Sequence, residues 1–366
     1  MHWKELSVRS VAICTVVAVL CGLHGVKLSA EPLEENFVYV MSNKTPANSV
    51  IQYRRAGNGS LIRVAEVSTG GSGTGPTVVD PLGSQDSLVL SRDGQHLFAV
   101  NAGSNEISVL GIRWDRLMLL SKVTSGGEFP NSIAVSGDLI YVLNAKGSTP
   151  NITGFRMDSR EELHWIATVP LPAGSVAPSD IRFSHDGSEL LVAVSGTNEL
   201  LVFPVDANGV ASNPVPEPSA GGSPFGIRFG RYDVVLVSEA AGSVSSYHLD
   251  EDGLDVISGA VSDTQNASCW ITITRNGHVA YVSNTGSGTI SSYSVGRDGD
   301  VTLEKAIGAK TGGAPIDSTL SHEGGFFYVL DSAGGRVLIY RADGSSLMPL
   351  GQVTSLPTSI QGIAAQ

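Results

Sequence analysis

Seven times along this chain an apolar run closes on a small polar or acidic residue, and that repetition limits the fold more than any other feature. The segments are Val38-Tyr39-Val40-Met41-Ser42-Asn43, Leu97-Phe98-Ala99-Val100-Asn101, Ile140-Tyr141-Val142-Leu143-Asn144, Leu190-Leu191-Val192-Ala193-Val194-Ser195, Val235-Leu236-Val237-Ser238-Glu239, Ala280-Tyr281-Val282-Ser283-Asn284 and Phe327-Tyr328-Val329-Leu330-Asp331. After a short Gly/Ser/Asn turn comes a second alternating run, as in Asn105-Glu106-Ile107-Ser108-Val109-Leu110, Gly242-Ser243-Val244-Ser245-Ser246-Tyr247 and Gly288-Thr289-Ile290-Ser291-Ser292-Tyr293. Period-two alternation bounded by turn residues is the pattern of a strand with two different faces.

Six of the seven units are preceded by another strand and usually a turn, as in Leu88-Val89-Leu90-Ser91-Arg92-Asp93-Gly94 and Ile181-Arg182-Phe183-Ser184-His185-Asp186-Gly187, where Asp-Gly predicts a hairpin. A fourth strand follows in stretches such as Asp298-Gly299-Asp300-Val301-Thr302-Leu303 and Asn58-Gly59-Ser60-Leu61-Ile62. Seven four-stranded units between Phe37 and Gln366 give about 47 residues each, the period of a propeller blade. The first unit begins at its second strand, with only Glu31 to Asn36 before it after the leader, while Ile360-Gln361-Gly362-Ile363-Ala364 stands alone at the end. The tail is therefore expected to supply the missing strand and close the ring without a large unpaired edge. The sequence predicts an all-β, seven-bladed β-propeller, a single domain over residues 37–366.

Residues 1–30 are set apart from this pattern. Lys4 and Arg9 precede an apolar run from Val11 to Leu23, and Leu28-Ser29-Ala30 offers a small residue at a cut, which reads as a signal peptide. The run is shorter than the roughly 20 apolar residues of a membrane span, so no span is expected after cleavage, and the mature protein is expected to be secreted or periplasmic. The leader carries two net positive charges, so its removal deepens the chain's charge from −12 to −14. Such an acidic chain is a poor match for nucleic acid. Cys14 and Cys21 leave with the leader, so Cys269 has no partner for an intrachain disulfide; beside Trp270 it reads as a small buried apolar residue.

The repeated Tyr-Val-x-Asn strands, the Ser-x-Asp-Gly turns at Ser91 to Gly94 and Ser184 to Gly187, and the closing Gln361-Gly362-Ile363-Ala364 resemble the lactonase family of seven-bladed propellers, over essentially all of Phe37 to Gln366. That family includes 6-phosphogluconolactonases and carboxymuconate cyclases. The resemblance implies a carboxylic ester hydrolase or a cyclase, with its site in the axial funnel where each blade's first strand begins. It also implies a Pro-Arg-His start in the fifth blade and an Asn-Glu after that blade's second strand. Pro224 and Glu239 match, whereas Phe225 and Gly226 replace the Arg and His, and Ser238 replaces the Asn. In the fourth blade Pro178-Ser179-Asp180 stands where the family's enzymes often place histidine.

The aligned first-strand starts predict a polar, somewhat acidic funnel lined by Asp86-Ser87, Asn131-Ser132, Ser179-Asp180, Phe225-Gly226, Cys269-Trp270, Ile316-Asp317 and Gln361-Gly362. Lactone hydrolysis needs a base to activate water and a donor or cation to stabilise the oxyanion. Glu239, Asp180 and Asp317 are the candidate bases, and Asn131, Ser132, Ser179, Phe225, Trp270 and Gln361 the candidate substrate contacts. No Arg or His in the strand starts supplies the second role. No cofactor is required, although the carboxylates also suit a divalent cation, with Asn131 and Gln361 as neutral oxygen donors. The eight histidines show no zinc-ligand spacing, and Gly70-Gly71-Ser72-Gly73-Thr74-Gly75 reads as an inter-blade loop.

Two readings stand on the sequence. One is an exported lactonase acting on a small unphosphorylated or sugar-like lactone, since an acidic funnel repels phosphate. The other is a non-catalytic propeller that binds a ligand or a protein partner.

Overall fold

The structure is a computed structural model that describes residues 36–366; the leader expected at 1–30 lies outside the described residues. Among the described residues the regular structure is entirely strand, arranged as seven four-stranded antiparallel sheets. The inner strands of blades 1 to 7 are Ile363–Ala365, Leu88–Leu90, Glu128–Ser136, Pro178–Phe183, Pro224–Phe229, Ser268–Ile273 and Pro315–Leu320. Each inner strand packs against those of the blades on either side, and the circuit returns from blade 7 to blade 1.

The second strands explain why the blades stack. Their side chains alternate between two faces, and each face meets a different neighbour. In blade 4, Leu190, Val192 and Val194 pack with Ala134, Tyr141 and Leu143 of blade 3, while Leu191 and Ala193 pack with Ile227, Val235 and Val237 of blade 5. A strand apolar on both faces thus belongs between two sheets. The outermost strand has only one covered side, and Leu61–Ser68 accordingly alternates between half-buried and exposed residues.

Closure follows the arrangement that the orphan tail predicts. Ile363–Ala365 pairs antiparallel with Phe37–Met41, in the register Val38 to Ala365, Tyr39 to Ala364 and Val40 to Ile363. The Gln366 amide also donates to the Phe37 carbonyl, and the Met41 amide to the Gly362 carbonyl. The Asp-Gly turns connect inner to second strands, with Gly94 and Gly187 at positive φ of 70° and 79°.

The ring therefore has two ends. Inner strands begin at one, called here the upper face, and turn into second strands at the other, the lower face. Because the tail strand completes the blade 1 sheet, Ile363→Ala is expected to destabilise the protein by about 2 to 5 kcal/mol in urea unfolding, and removal of Ser359–Gln366 to cost more.

Candidate functional site

Seven inner strands leave a channel along the axis, and the chain fills its upper part with its own backbone. The connection from blade 1 to blade 2 runs over the upper rim through the Gly70–Gly75 loop, is exposed from Pro76 to Val79, and then descends to the axis as Asp80–Ser87. We call this segment the strap. Ser84 Oγ donates to the Asn131 carbonyl at 2.7 Å, and the Ser84 carbonyl accepts from Trp270 Nε1 at 2.9 Å and Gln361 Nε2 at 3.2 Å. The Gln85 amide donates to the Ser179 carbonyl, and its side chain makes a pair of 3.0 Å bonds with the Ile271 backbone. With Val79, just before the strap, held by Ser332 and Asp86 held by Arg182 and Arg228, the connection reaches every blade beyond the one it enters. Polar backbone buried on the axis is thereby satisfied.

The strap gives a physical reason for one departure from the family pattern. A Cβ on Gly226 would lie 2.3 Å from Gln85 Oε1 and 3.0 Å from the Cys269 carbonyl. The place of the family's histidine is therefore taken up by the strap's glutamine, and glycine leaves room for it.

Beneath Gln85 lies a cluster of buried charge. Asp86 Oδ1 and Oδ2 accept a two-pronged pair of 2.9 Å bonds from Arg228, and Oδ2 also meets Arg182 Nη2 at 2.9 Å. Asp180 accepts from the Ile227 amide at 2.8 Å and from Ser132 Oγ at 3.1 Å, with Arg228 at 3.7 Å. Asp317 accepts from the Ser318 amide at 2.9 Å. Burial, reinforced by Asp86, pushes Asp180 up to about 7 against the pull of Arg228 and Arg182. Burial and then Asp86 hold Asp317 well above the usual carboxylate range. Three acids thus face two guanidiniums, and burial together with Asp86 favours the protonated forms of Asp180 and Asp317.

The expected site residues separate into groups. Asp180 and Asp317 come together in this cluster, and Ser132 supports Asp180. Ser179 Oγ donates to the Phe225 carbonyl, Asn131 Nδ2 to the Pro178 carbonyl at 2.9 Å, and Phe225 packs edge-on against Trp270 with ring centroids 4.9 Å apart. Glu239 shares no hydrogen-bond partner with Asp180 or Asp317. It is fully buried, and its carboxylate is held by Ser219, Ser243 and Ser245 of its own blade and the loop before it. Burial raises its carboxyl and these hydroxyls pull it back. Asn101, Asn144, Asn284 and Asp331 occupy corresponding ends of second strands and likewise bond within their blades, to Ser108, Asn151, Ser291 and Arg336. Glu239 is the fifth blade's version of that clasp.

Two kinds of residue escaped the sequence reading. Arg182 and Arg228 lie beyond the strand starts, in Ile181-Arg182-Phe183 and Ile227-Arg228-Phe229, and they supply the cations that the starts lack. The signal was the arginine repeated between apolar residues, with Arg182 two positions from Asp180 on the same side of its strand. Asp80 sits in the strap, outside the repeat. Its Oδ1 accepts from the Gly83 amide at 2.9 Å, and it lies near Gln361 and Cys269. Protein crowds its carboxyl while the residue stays partly open to solvent, and burial pushes it up to about 7, offset by bonds from Gly83 and Gln361. Cys269 is a buried free thiol whose ionisation burial suppresses.

A carboxyl raised by folding stabilises the protein fully only below its unfolded value, near 3.8, and that stability is lost as pH rises through the folded value. Asp317→Asn, which stays neutral, is expected to reduce the fall in melting temperature as pH rises above the unfolded value near 3.8. An unchanged pH dependence in thermal melts would contradict the assignment.

The chain matches the model of the family described as Lactonase, 7-bladed beta-propeller, over residues 32–172 and 236–361. None of the curated proteins compared with it matches significantly. Among solved structures, a Lactobacillus plantarum protein is similar with a TM-score of 0.73 and 20% identity, covering 91% of this chain and 99% of that one. The periplasmic gluconolactonase of Pseudomonas aeruginosa is similar with a TM-score of 0.70 and 17% identity, over 90% and 99%. A Bacteroides fragilis protein proposed to be a 6-phosphogluconolactonase gives 0.71 and 18%, over 90% and 99%. At these identities the solved structures establish the shared fold, and the family match, spanning most of the repeats, establishes the kinship: the chain belongs to the lactonase family of seven-bladed β-propellers.

Proposed function

We propose that this protein is an exported hydrolase that opens a small lactone at the upper mouth of the channel, with Asp80 as the general base. The observation that carries the reading is a partly accessible carboxyl poised near neutrality beside Gln361. Family membership supports the reaction class, and the basic-then-apolar leader supports export, as does likeness to a protein named as periplasmic.

In this reading Asp80 takes a proton from water as the water oxygen attacks the lactone carbonyl. Gln361 Nε2 donates to the Ser84 carbonyl and lies against Asp80, so it orients the base. The ring C–O bond then breaks, and Asp80 returns the proton to the leaving alkoxide, giving a hydroxy acid. Asp180 acts from below, 3.7 Å from the Arg228 guanidinium that holds the strap, and Asp317 lies in the same charge cluster. No cofactor enters these steps.

The strap's closure of the axis favours a second reading, a propeller that binds without catalysis. One assay separates the two: hydrolysis of unphosphorylated and phosphorylated aldonolactones, with and without divalent cations, corrected for spontaneous opening. The enzyme reading expects a rate that rises as pH passes about 7, when Asp80 loses its proton, and a fall of about a hundredfold in Asp80→Asn. Glu239→Gln should chiefly lower the melting temperature. A folded protein with no turnover on any lactone would reject the enzyme reading in favour of the binding one.

A further inference from the structure

The lower face carries a chamber of a different character from the acidic upper mouth. Its volume is about 940 Å³, and the turns of blades 2 to 6 wall it. Arg182 and Arg228 form its floor, Arg92 and Arg275 stand at its exposed rim, and His185 lines one side. The one carboxylate in its lining, Asp93, is engaged in its own turn, where Oδ1 accepts from Ser91 Oγ at 2.6 Å and from the Gln95 amide at 3.0 Å. Four arginines line one cavity of a chain whose net charge is −12, with Arg275 Nη1 also meeting His322 Nε2 at 2.5 Å.

The floor is built and not merely crowded with charge. Asp86 grips Arg228 with two 2.9 Å bonds, which fix its plane before any ligand arrives, and meets Arg182 Nη2 at a third contact of 2.9 Å. Asp86 cannot satisfy both guanidiniums: Arg182 Nε is shielded from solvent and has no hydrogen-bond partner. The Arg228 side chain is 12% exposed and that of Arg182 26%. His185 Nε2 bonds the Gly230 carbonyl at 2.6 Å as a donor, which orients the ring at the chamber wall. Planar forks of this kind match the paired oxygens of carboxylates and phosphates.

We propose that the lower chamber is a binding site for a small polyanion, a molecule bearing two or more carboxylate or phosphate groups. One anionic group meets the Arg182–Arg228 floor, and another the Arg92–Arg275 rim. The site opens on the face opposite Asp80 and does not depend on the hydrolase reading.

The test is isothermal titration of the full-length protein with citrate and with inorganic phosphate at constant ionic strength, with glucose as the uncharged control. Citrate is expected to bind saturably with a dissociation constant of about 1 mM or tighter, and glucose not at all. Stronger binding of phosphate than of citrate would assign the site to phosphate groups, the reverse to polycarboxylates. Either result supports a polyanion site only if Arg92→Ala and Arg275→Ala each weaken binding by about tenfold, while Arg160→Ala, an equal loss of charge at an exposed position elsewhere, does not. These rim side chains are exposed, so their removal leaves the core intact; Arg182→Met tests the floor, with a thermal melt to verify folding. Absence of saturable binding by both anions, or equal weakening by Arg160→Ala, would overturn the proposal.

Discussion

The contact on which the axial structure depends is the grip of Arg228 and Arg182 on Asp86. Sheets packed around an axis leave a channel that side chains or solvent must fill. Here a length of backbone fills its upper part, and burying backbone requires a partner for each amide and carbonyl. Ser84 and Gln85 find partners in blades 1, 3, 4 and 6. Asp86 then fastens the end of the strap to blades 4 and 5 through charge. Removing one member of such a buried set strands the others, so the cluster acts as a unit.

That single device separates two ends of different chemistry. At the strap's upper end lies Asp80, near Gln361 and Cys269. Below it the undersides of the same two arginines face a chamber. Asp86 is thus shared: its carboxylate neutralises part of the floor's charge, and its backbone anchors the segment that carries Asp80. Lactonase-family architecture sets where the mouth is, while the strap, Gly226 and the two Ile-Arg-Phe strands set the chemistry that each end presents.

Most of the fold was legible because a blade's middle strands advertise themselves. Leu190 to Val194 is apolar throughout since both faces meet another sheet, and Leu61 to Ser68 alternates since one side meets water. Ring closure was legible from a missing first strand and an orphan last one. The site was less so. Asp180 and Asp317 were found because strand starts align, yet the arginines that balance them lie two positions further along one strand and in its neighbour, where an alignment of starts does not look. Asp80 belongs to an aperiodic connection whose path across the axis leaves no mark in the repeat. Glu239 matched the family's acid by position, but position within a repeat also describes a structural clasp, and only the serines around it distinguish the two.

The strap occupies the axis, and amide hydrogen exchange measures that directly. Protection of the Gln85 amide and its neighbours to Leu88 should equal that of the inner strands, exceed that of the exposed outer strands, and fall selectively in Asp86→Asn. Rapid exchange across Ser84–Ser87 in an otherwise protected ring would contradict it, because the channel would then be open and the charge cluster would no longer anchor anything.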